Sequence, residues 1–142
     1  MAFNVLVVDD SAVMRTMVIK TLRLSGVPVG EVFQAANGEE GLEHLHANWV
    51  DLVLLDLNMP QMNGEELLAE IRSNPETTSV AVIVVSTEGS EARIKRIRDL
   101  GAQFVHKPFR PEELRAVIRD LTGVSDDTFD AVPVVSDGGG DF

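Results

Sequence analysis

The sequence of 142 residues contains no cysteine. Disulfide bonds and thiolate metal sites are therefore excluded, and we expect a cytoplasmic location. No apolar run approaches the roughly eighteen residues of a membrane-spanning helix. The amino terminus also lacks the charged, apolar and small-residue regions of a secretory signal. We therefore expect no association with a membrane.

Basic residues are also scarce, since 12 Lys and Arg stand against 23 Asp and Glu, for a net charge of −11. A surface that binds nucleic acid needs basic charge, so this balance argues against a nucleic-acid partner. Apolar residues make up 44% of the chain, enough to build one buried core at this length. The composition predicts a single globular domain.

The end of the chain differs from the rest in charge and complexity. Residues 124–142 contain five aspartates and no Lys or Arg. A segment this short and acidic cannot bury a core of its own. We predict a folded domain over residues 1–123, followed by a disordered acidic tail over 124–142.

Short apolar segments alternate with segments of helical periodicity five times along the domain. Strands are predicted at 4–8, 31–36, 51–55, 80–85 and 103–106. Helices are predicted from an N-cap at Ser11 to Gly26 and at 39–47, 65–73, 91–100 and 112–121. No tight hairpin signal separates the strands, so we expect parallel strands with right-handed crossovers. The pattern predicts a doubly wound α/β domain.

Polar side chains follow four of these five strands. They are Asp9 and Asp10, Asp56, Ser86 and Lys107. The carboxyl ends of parallel strands meet at one edge of a sheet, where ligands bind in this architecture. A single Asp after a strand usually forms a cap or turn. Groups of this kind at four strand ends together indicate a binding site instead.

These residue types suit the chemistry of phosphate groups near a metal ion. Clustered carboxylates repel one another unless a cation neutralises them. Because neither Cys nor His lies at these strand ends, the hard oxygen ligands favour Mg²⁺. A lysine and a short hydroxyl can contact phosphoryl oxygens, and a carboxylate can serve as the nucleophile and form an aspartyl phosphate.

Four stretches of the sequence resemble the motifs of response-regulator receiver domains, and are most similar to the single-domain, CheY-like chemotaxis type. They are VLVVDDSAVMR, LVLLDLNMPQMNG, VIVVSTEG and FVHKPF, and the resemblance covers about residues 3–122. It implies a flavodoxin-like sheet of five parallel strands in the order 2-1-3-4-5 with five helices. It also implies a signalling protein of a two-component system, not a conventional enzyme.

The resemblance implies a role for each residue at the strand ends. Asp56 would accept the phosphoryl group from a phosphohistidine of a sensor histidine kinase. Asp10 would bind Mg²⁺, or Mn²⁺ in its place, together with Asp56 and the backbone carbonyl of Asn58, while Asp9 would act through water. Lys107 would contact the phosphoryl oxygens, and its peptide bond to the following proline is expected to be cis.

Further positions of the family concern switching and hydrolysis. Ser86 aligns with the hydroxyl that turns toward the new phosphate, and Phe104 with the aromatic residue that changes rotamer with it. Asn58 and Glu88 occupy the two positions that govern hydrolysis. Both are polar and could position a water, so we expect autodephosphorylation and a moderately short-lived phosphoryl group.

Output is expected from the surface of the domain, since no further domain follows. The face formed by the fourth helix, fifth strand and fifth helix would carry Arg93, Ile94, Arg96, Ile97 and Phe104. Its basic charge suits a downstream target protein or phosphatase with an acidic segment, or a second copy in a homodimer formed on phosphorylation. The acidic tail could dock in cis on this face or serve only to solubilise the chain.

Two other readings use the same residues. A haloacid-dehalogenase-like, Mg²⁺-dependent phosphatase also combines an Asp nucleophile with a hydroxyl and a Lys, but needs a second Asp where this chain has Asn58. Turnover of a phosphomonoester would favour that enzyme, whereas stoichiometric labelling of Asp56 would favour a receiver. A flavodoxin-like nucleotide binder would need a phosphate loop where Asp9 and Asp10 stand.

The sequence also allows expectations for three residues away from the site. His44 and His46 on the second helix are expected at the surface. Trp49, which precedes the third strand, is expected to pack at the sheet edge opposite the acids.

Overall fold

The computed structural model describes residues 2–59, 62–87 and 89–123. The strands are β1 (Phe3–Val8), β2 (Val29–Ala35), β3 (Leu52–Leu55), β4 (Ala81–Ser86) and β5 (Gln103–His106). The helices are α1 (Ala12–Leu24), α2 (Gly38–Ala47), α3 (Gly64–Ser73), α4 (Glu91–Asp99) and α5 (Pro111–Thr122). Each predicted element is present, with ends that differ by no more than a few residues.

The five strands form one parallel sheet in the order β2-β1-β3-β4-β5. The predicted doubly wound fold and its strand order are therefore confirmed. The central strands β1 and β3 are buried on both faces, which explains their uninterrupted apolar sequences. From β1 the chain adds β2 on one side and then β3, β4 and β5 on the other, so the carboxyl ends of β1 and β3 flank the crevice where ligands bind in such sheets.

Two apolar layers cover the two faces of the sheet. On one face, α2, α3 and α4 contribute Leu45, Leu67 and Ile97 to a shared cluster with the strands. On the other face, α1 and α5 contribute Leu22 and Ile118 to a second cluster. Each helix therefore buries one apolar stripe, as its 3.6-residue periodicity requires.

Side-chain caps fix where several helices begin. Ser11 accepts a hydrogen bond from the N–H of Met14 at the start of α1, as predicted. Asn63 and Glu66 form a reciprocal capping box at the start of α3. Because an Asn cap precedes α2 and α3 directly, Gly38 and Gly64 are the first helical residues and not part of a turn.

One interpretation of a residue outside the site was wrong, and another holds only in part. Trp49 is 78% exposed and does not pack into the sheet edge, because its indole N–H donates to Asp51 Oδ1 at 2.9 Å and the ring points into solvent. His44 is half-buried, since its ring lies 5.6 Å from that of Phe33 on β2. His46 is exposed, as expected.

No helix in the described part of the chain is long and apolar enough to span a bilayer. The predicted tail, residues 124–142, lies outside the described residues, so its separation from the domain stays a prediction.

Candidate functional site

The acidic residues after β1 and β3 meet at the carboxyl edge of the sheet. Val8 pairs with Leu55 at the ends of these neighbouring strands, so the residues that follow them lie side by side. One carboxylate oxygen from each of Asp9, Asp10 and Asp56 lies within 4.8 Å of the others. Asp9 and Asp56 are buried, and Asp10 is exposed. The site therefore holds three like charges at one point, two of them shielded from solvent.

Lys107 brings a positive charge to this group from the far side of β4. Its Nζ lies 3.4 Å from Oδ1 of Asp56 and 3.5 Å from Oδ2 of Asp9. The peptide bond between Lys107 and Pro108 is cis, as expected. One lysine stands against three carboxylates, so the cluster as a whole keeps excess negative charge.

Burial raises the pKa of the Asp56 carboxyl, the nearby Lys107 ammonium lowers it, and the charges of Asp9 and Asp10 raise it further. The net direction is upward. Removing a carboxylate from water disfavours its ionised form, and like charges nearby add to that cost. The ionised form of Asp56 therefore needs more compensation than Lys107 supplies.

Ser86 is the last residue of β4, the strand that lies between β3 and β5. Its side chain is fully buried, and its carbonyl accepts a hydrogen bond of 3.0 Å from the N–H of Lys107. Thr87 is exposed and lies beyond the end of the strand. The buried hydroxyl at this end of β4 is therefore that of Ser86 and not that of Thr87.

Two groups without a predicted role at the acidic site, the N–H of Ser11 and the guanidinium of Arg15, hold the segment around Asp9 in place. The N–H of Ser11 donates to Oδ1 of Asp9 at 2.9 Å, and Arg15 Nη1 donates to the backbone carbonyl of Asp9 at 2.6 Å. Arg15 also donates through Nε to Gln34 Oε1 on β2. The sequence does carry a signal for the role of Arg15, because this residue ends the motif VLVVDDSAVMR and lies one helical turn after the Ser11 cap.

Gly64, the first residue of α3, packs closely against the backbone of Asp56. A Cβ at Gly64 would overlap the carbonyl oxygen of Asp56, and the Gly64 N–H donates to the carbonyl of Leu57 at 3.0 Å. The start of α3 therefore rests directly on the backbone of Asp56. Only glycine allows that approach, and Gly64 closes the motif LVLLDLNMPQMNG.

The remaining site predictions divide into three groups. Asn58 is exposed between two buried residues of the segment after Asp56, and nothing in the structure tests its metal-binding carbonyl. Glu88 lies outside the described residues. Phe104 is 8% exposed, so this aromatic is turned inward in the structure.

The predicted partner face needs correction at two residues, Phe104, which is buried as described above, and Ile97. Ile97 has 0% exposure because the apolar stripe of α4 packs onto the sheet in the same cluster as Phe104, so Ile97 is not part of the accessible surface. Ile94 is partly buried against that cluster. Arg93 and Arg96 both form ion pairs with Glu65 of α3.

The donor set fits a divalent cation. All its ligand atoms are carboxylate oxygens, which Mg²⁺ prefers, and two of the three carboxylates are buried with a single lysine for compensation. Such a cluster is costly to keep ionised unless a cation joins it. The acidic pocket is therefore suited to Mg²⁺.

Comparison with known proteins agrees with this geometry. The family model for the response regulator receiver domain matches residues 5–119. The chain belongs to the response-regulator receiver family. Members of this family are signalling domains and not classical enzymes.

Curated relatives of this receiver domain include chemotaxis proteins. It is 36% identical over 125 residues to the chemotaxis protein CheY1 of Helicobacter pylori, a match covering 87% of this chain and 99% of that protein. It is 34% identical over 121 residues to the probable chemotaxis protein CheY of Rhizobium etli, covering 84% of this chain and 92% of that protein.

Solved structures agree on the fold. The receiver domain superimposes on the chemotaxis protein CheY4 of Vibrio cholerae with a TM-score of 0.74 and 32% identity, covering 85% of this chain and 99% of that one. A putative response regulator from Chloroflexus aurantiacus gives a TM-score of 0.77 and 27% identity, with 87% and 99% covered. The phosphatase alternative is not favoured, since the family, the fold and Asn58 all point to a receiver.

Proposed function

We propose that this receiver domain is a stand-alone, chemotaxis-type response regulator that accepts a phosphoryl group on Asp56. The observation that carries the proposal is the position of the Asp56 carboxylate, which is buried beside two other acids and 3.4 Å from Lys107 Nζ. The similarity to CheY1 and to the Rhizobium etli protein, both named as chemotaxis proteins, supports the signalling context.

In the transfer step, a carboxylate oxygen of Asp56 forms a bond to phosphorus as the bond from phosphorus to the donor imidazole nitrogen breaks. The electron pair of the broken bond stays on the imidazole, which is the leaving group. Lys107 compensates the charge of the phosphoryl oxygens, since its Nζ already lies within 3.5 Å of both buried acids. Ser86 supplies a buried hydroxyl that can turn toward the bound phosphoryl group.

The carboxylates of Asp10 and Asp56, with the backbone carbonyl of Asn58, would hold Mg²⁺, and Asp9 would contribute through water. Mn²⁺ has the same preference for oxygen ligands and would serve in its place. When bound, the cation neutralises the carboxylates and the incoming phosphoryl oxygens. The excess of three acids over one lysine supports this assignment.

Autodephosphorylation is the second part of the proposal. Asn58 follows Asp56 by two residues, and Glu88 follows Ser86 by two. Both are polar residues able to position a water, so the phosphoryl group is expected to be moderately short-lived. A protein that kept most of its phosphoryl label overnight with Mg²⁺ present would contradict this expectation.

Receiver domains of the CheY type interact with histidine kinases and with downstream targets. For this chain we propose a sensor histidine kinase as donor. The output partner would be a target protein or phosphatase that binds the face of α4, β5 and α5, or a second copy of the chain. The exposed Lys95 and Arg98 on α4 favour a partner with an acidic segment.

The experiment is labelling with a phosphorylated histidine kinase domain, with Mg²⁺ or with a chelator. We expect up to one phosphoryl group per chain, sensitive to hydroxylamine as an acyl phosphate is, and dependent on the metal. Asp56→Ala should abolish labelling, whereas Asp99→Ala, which removes an exposed acid of α4, should not. Label at another residue, or sustained turnover of a phosphomonoester, would contradict the proposal.

A further inference from the structure

Glu65, the second residue of α3, binds two arginines of α4. Its Oε1 lies 3.1 Å from Nε of Arg93, and its Oε2 lies 2.7 Å from Nε of Arg96. The two arginines are three residues apart and so lie on the same side of the helix. Each oxygen of one carboxylate therefore receives a charge-assisted hydrogen bond from α4.

The α3 end of this contact is attached to the phosphoacceptor. Gly64, the neighbour of Glu65, rests on the carbonyl of Asp56 and donates its N–H to Leu57. The capping box of Asn63 and Glu66 fixes the same turn. Glu65 therefore projects from a rigid turn that is packed on the backbone of Asp56.

The α4 end of this contact is connected, through the β4–α4 loop and the core, to Ser86 and Phe104, the two residues with a predicted switch role. Only residues 87–90 separate Ser86, at the end of β4, from the first residue of α4. Beneath α4, Ile97 and Phe104 lie in one buried cluster, with Ile94 packed against it. A turn of Phe104 or a shift of Ser86 therefore changes the space beneath α4 or the loop that leads into it.

This contact differs from an ordinary surface ion pair. Side-chain exposure is 24% for Glu65, 21% for Arg93 and 58% for Arg96, whereas the Lys95–Asp99 pair within α4 has exposures of 76% and 62%. Exposed pairs contribute little because water and salt screen them. The hydrogen bond from Arg96, with that from Arg93, holds the pKa of Glu65 below its usual value, so the carboxylate is ionised at neutral pH.

We propose that Glu65 is a positioning residue that latches α4 to the start of α3 in the unphosphorylated domain, so that the latch opposes the change at Ser86 and Phe104. The inference rests on the proposed function, because it concerns the response to the phosphoryl group on Asp56. Loosening the latch should make the phosphorylated conformation easier to reach. Neither the phosphoacceptor nor a proposed metal ligand is altered by changing Glu65.

The test measures the affinity of the full chain for beryllofluoride with Mg²⁺, a mimic of the phosphoryl group on a carboxylate. We expect Glu65→Gln to bind the mimic about five-fold more tightly than wild type, at the lower end of coupling between linked sites. Two matched controls should change affinity less than about two-fold. Asp99→Asn breaks an ion pair that stays within α4, and Glu70→Gln removes the same charge from an exposed position of α3.

Two further measurements separate the latch from a general loss of structure. Amide hydrogen exchange in α4 of the unphosphorylated chain should be faster in Glu65→Gln than in either control. In a double-mutant cycle, Arg96→Gln should add little to Glu65→Gln, since both remove the same interaction. Equal mimic affinities for Glu65→Gln and its controls, unchanged exchange in α4, or additive effects of the two changes would overturn the latch.

The outcome for the proposed function is read separately. If wild type is labelled on Asp56 but Glu65→Gln behaves as the controls do, the latch is wrong and the phosphoacceptor stands. If wild type neither accepts a phosphoryl group nor binds the mimic, the proposed function itself is wrong, whatever α4 exchange shows.

Discussion

At the scale of single residues, the site contains more carboxylates than its one lysine can neutralise, and the domain folds despite their repulsion. Asp9 and Asp56 are buried within 4.8 Å of Asp10, and Lys107 alone among the described residues forms ion pairs with them. Burial of like charges lowers the stability of the folded state, as the raised pKa of Asp56 indicates. The repulsion at the site therefore lowers the free energy of unfolding, and binding a cation or removing one of the charges should raise it.

Asp56→Asn should accordingly stabilise the protein when divalent cations are absent. The amide keeps the shape of the side chain but removes one of three repelling charges, and Lys107 keeps Asp9 as a partner. We expect a gain of about 1 kcal/mol, which is a few degrees in Tm. Thermal unfolding in a chelator measures it, with Asp99→Asn as the exposed control.

Adding Mg²⁺ should reverse the order of the two proteins. A cation that binds only the folded state raises Tm, and wild type has the complete set of carboxylates. The Asn variant should respond less. If Asp56→Asn were less stable than wild type in the chelator, the claim that carboxylate repulsion destabilises the folded protein would be wrong.

Gly64→Ala should damage the site through its backbone. The added Cβ would overlap the carbonyl oxygen of Asp56, so either α3 or the phosphoacceptor loop must shift. We expect a loss of about 1–3 kcal/mol in the free energy of unfolding, measured by urea denaturation, together with slower labelling of Asp56. Gly89→Ala is the control, because a Cβ there meets no atom of the described residues beyond its chain neighbours within 4 Å. Equal effects of both substitutions would contradict the prediction.

At the scale of elements, the contact between α3 and α4 has a predictable dependence on pH. Hydrogen bonds from Arg96 and Arg93 lower the pKa of Glu65 in the folded protein. An acid whose folded pKa is depressed adds stability above its unfolded pKa, and that stability is lost as pH falls through the folded value. The stability difference between wild type and Glu65→Gln should therefore be constant at neutral pH.

That difference should shrink on the acid side of the ordinary glutamate pKa and vanish below the folded pKa. Urea unfolding at a series of pH values measures it, with Glu70→Gln measured alongside as a variant that loses an exposed glutamate of the same helix. A difference that grew on acidification would have the wrong sign for this contact.

The elements also show how far the sequence carries the fold. Apolar runs and helical periodicity were enough to predict all ten elements. The polar residues at the strand ends were enough to predict that Asp9, Asp56 and Lys107 converge, because parallel strands share one carboxyl edge. The helix starts were less accurate. Asn63 forms a capping box, so α3 begins one residue earlier than its apolar periodicity suggests.

What the sequence did not supply was long-range geometry. Ile97 has the spacing of an inward-facing residue, yet the resemblance placed it on a partner surface, and its contact with the sheet decides the matter. The pairing of Glu65 with Arg93 and Arg96 joins residues 28 and 31 positions apart. Periodicity within one helix cannot reveal which helix lies beside it.

At the scale of the whole molecule, the described core is complete by Gly123, which ends α5 in a left-handed C-cap with φ of 73°. Deleting residues 124–142 should therefore leave the urea midpoint and the Mg²⁺ response unchanged within about 0.5 kcal/mol. A clear loss of stability would show that the tail belongs to the fold. A change in partner affinity or dephosphorylation rate, without loss of stability, would favour docking of the tail in cis.

The antiparallel course of the helices relative to the strands has a practical consequence. β1 begins at Phe3 on the amino edge of the sheet, and α5 starts after β5 and returns to that same edge, where Arg115 of α5 donates to the carbonyl of Ser25. Both ends of the described domain thus lie opposite Asp56. A fluorescent protein, an affinity tag or a surface tether joined directly before Ala2 or directly after Gly123 would stand on the side of the domain opposite Asp56.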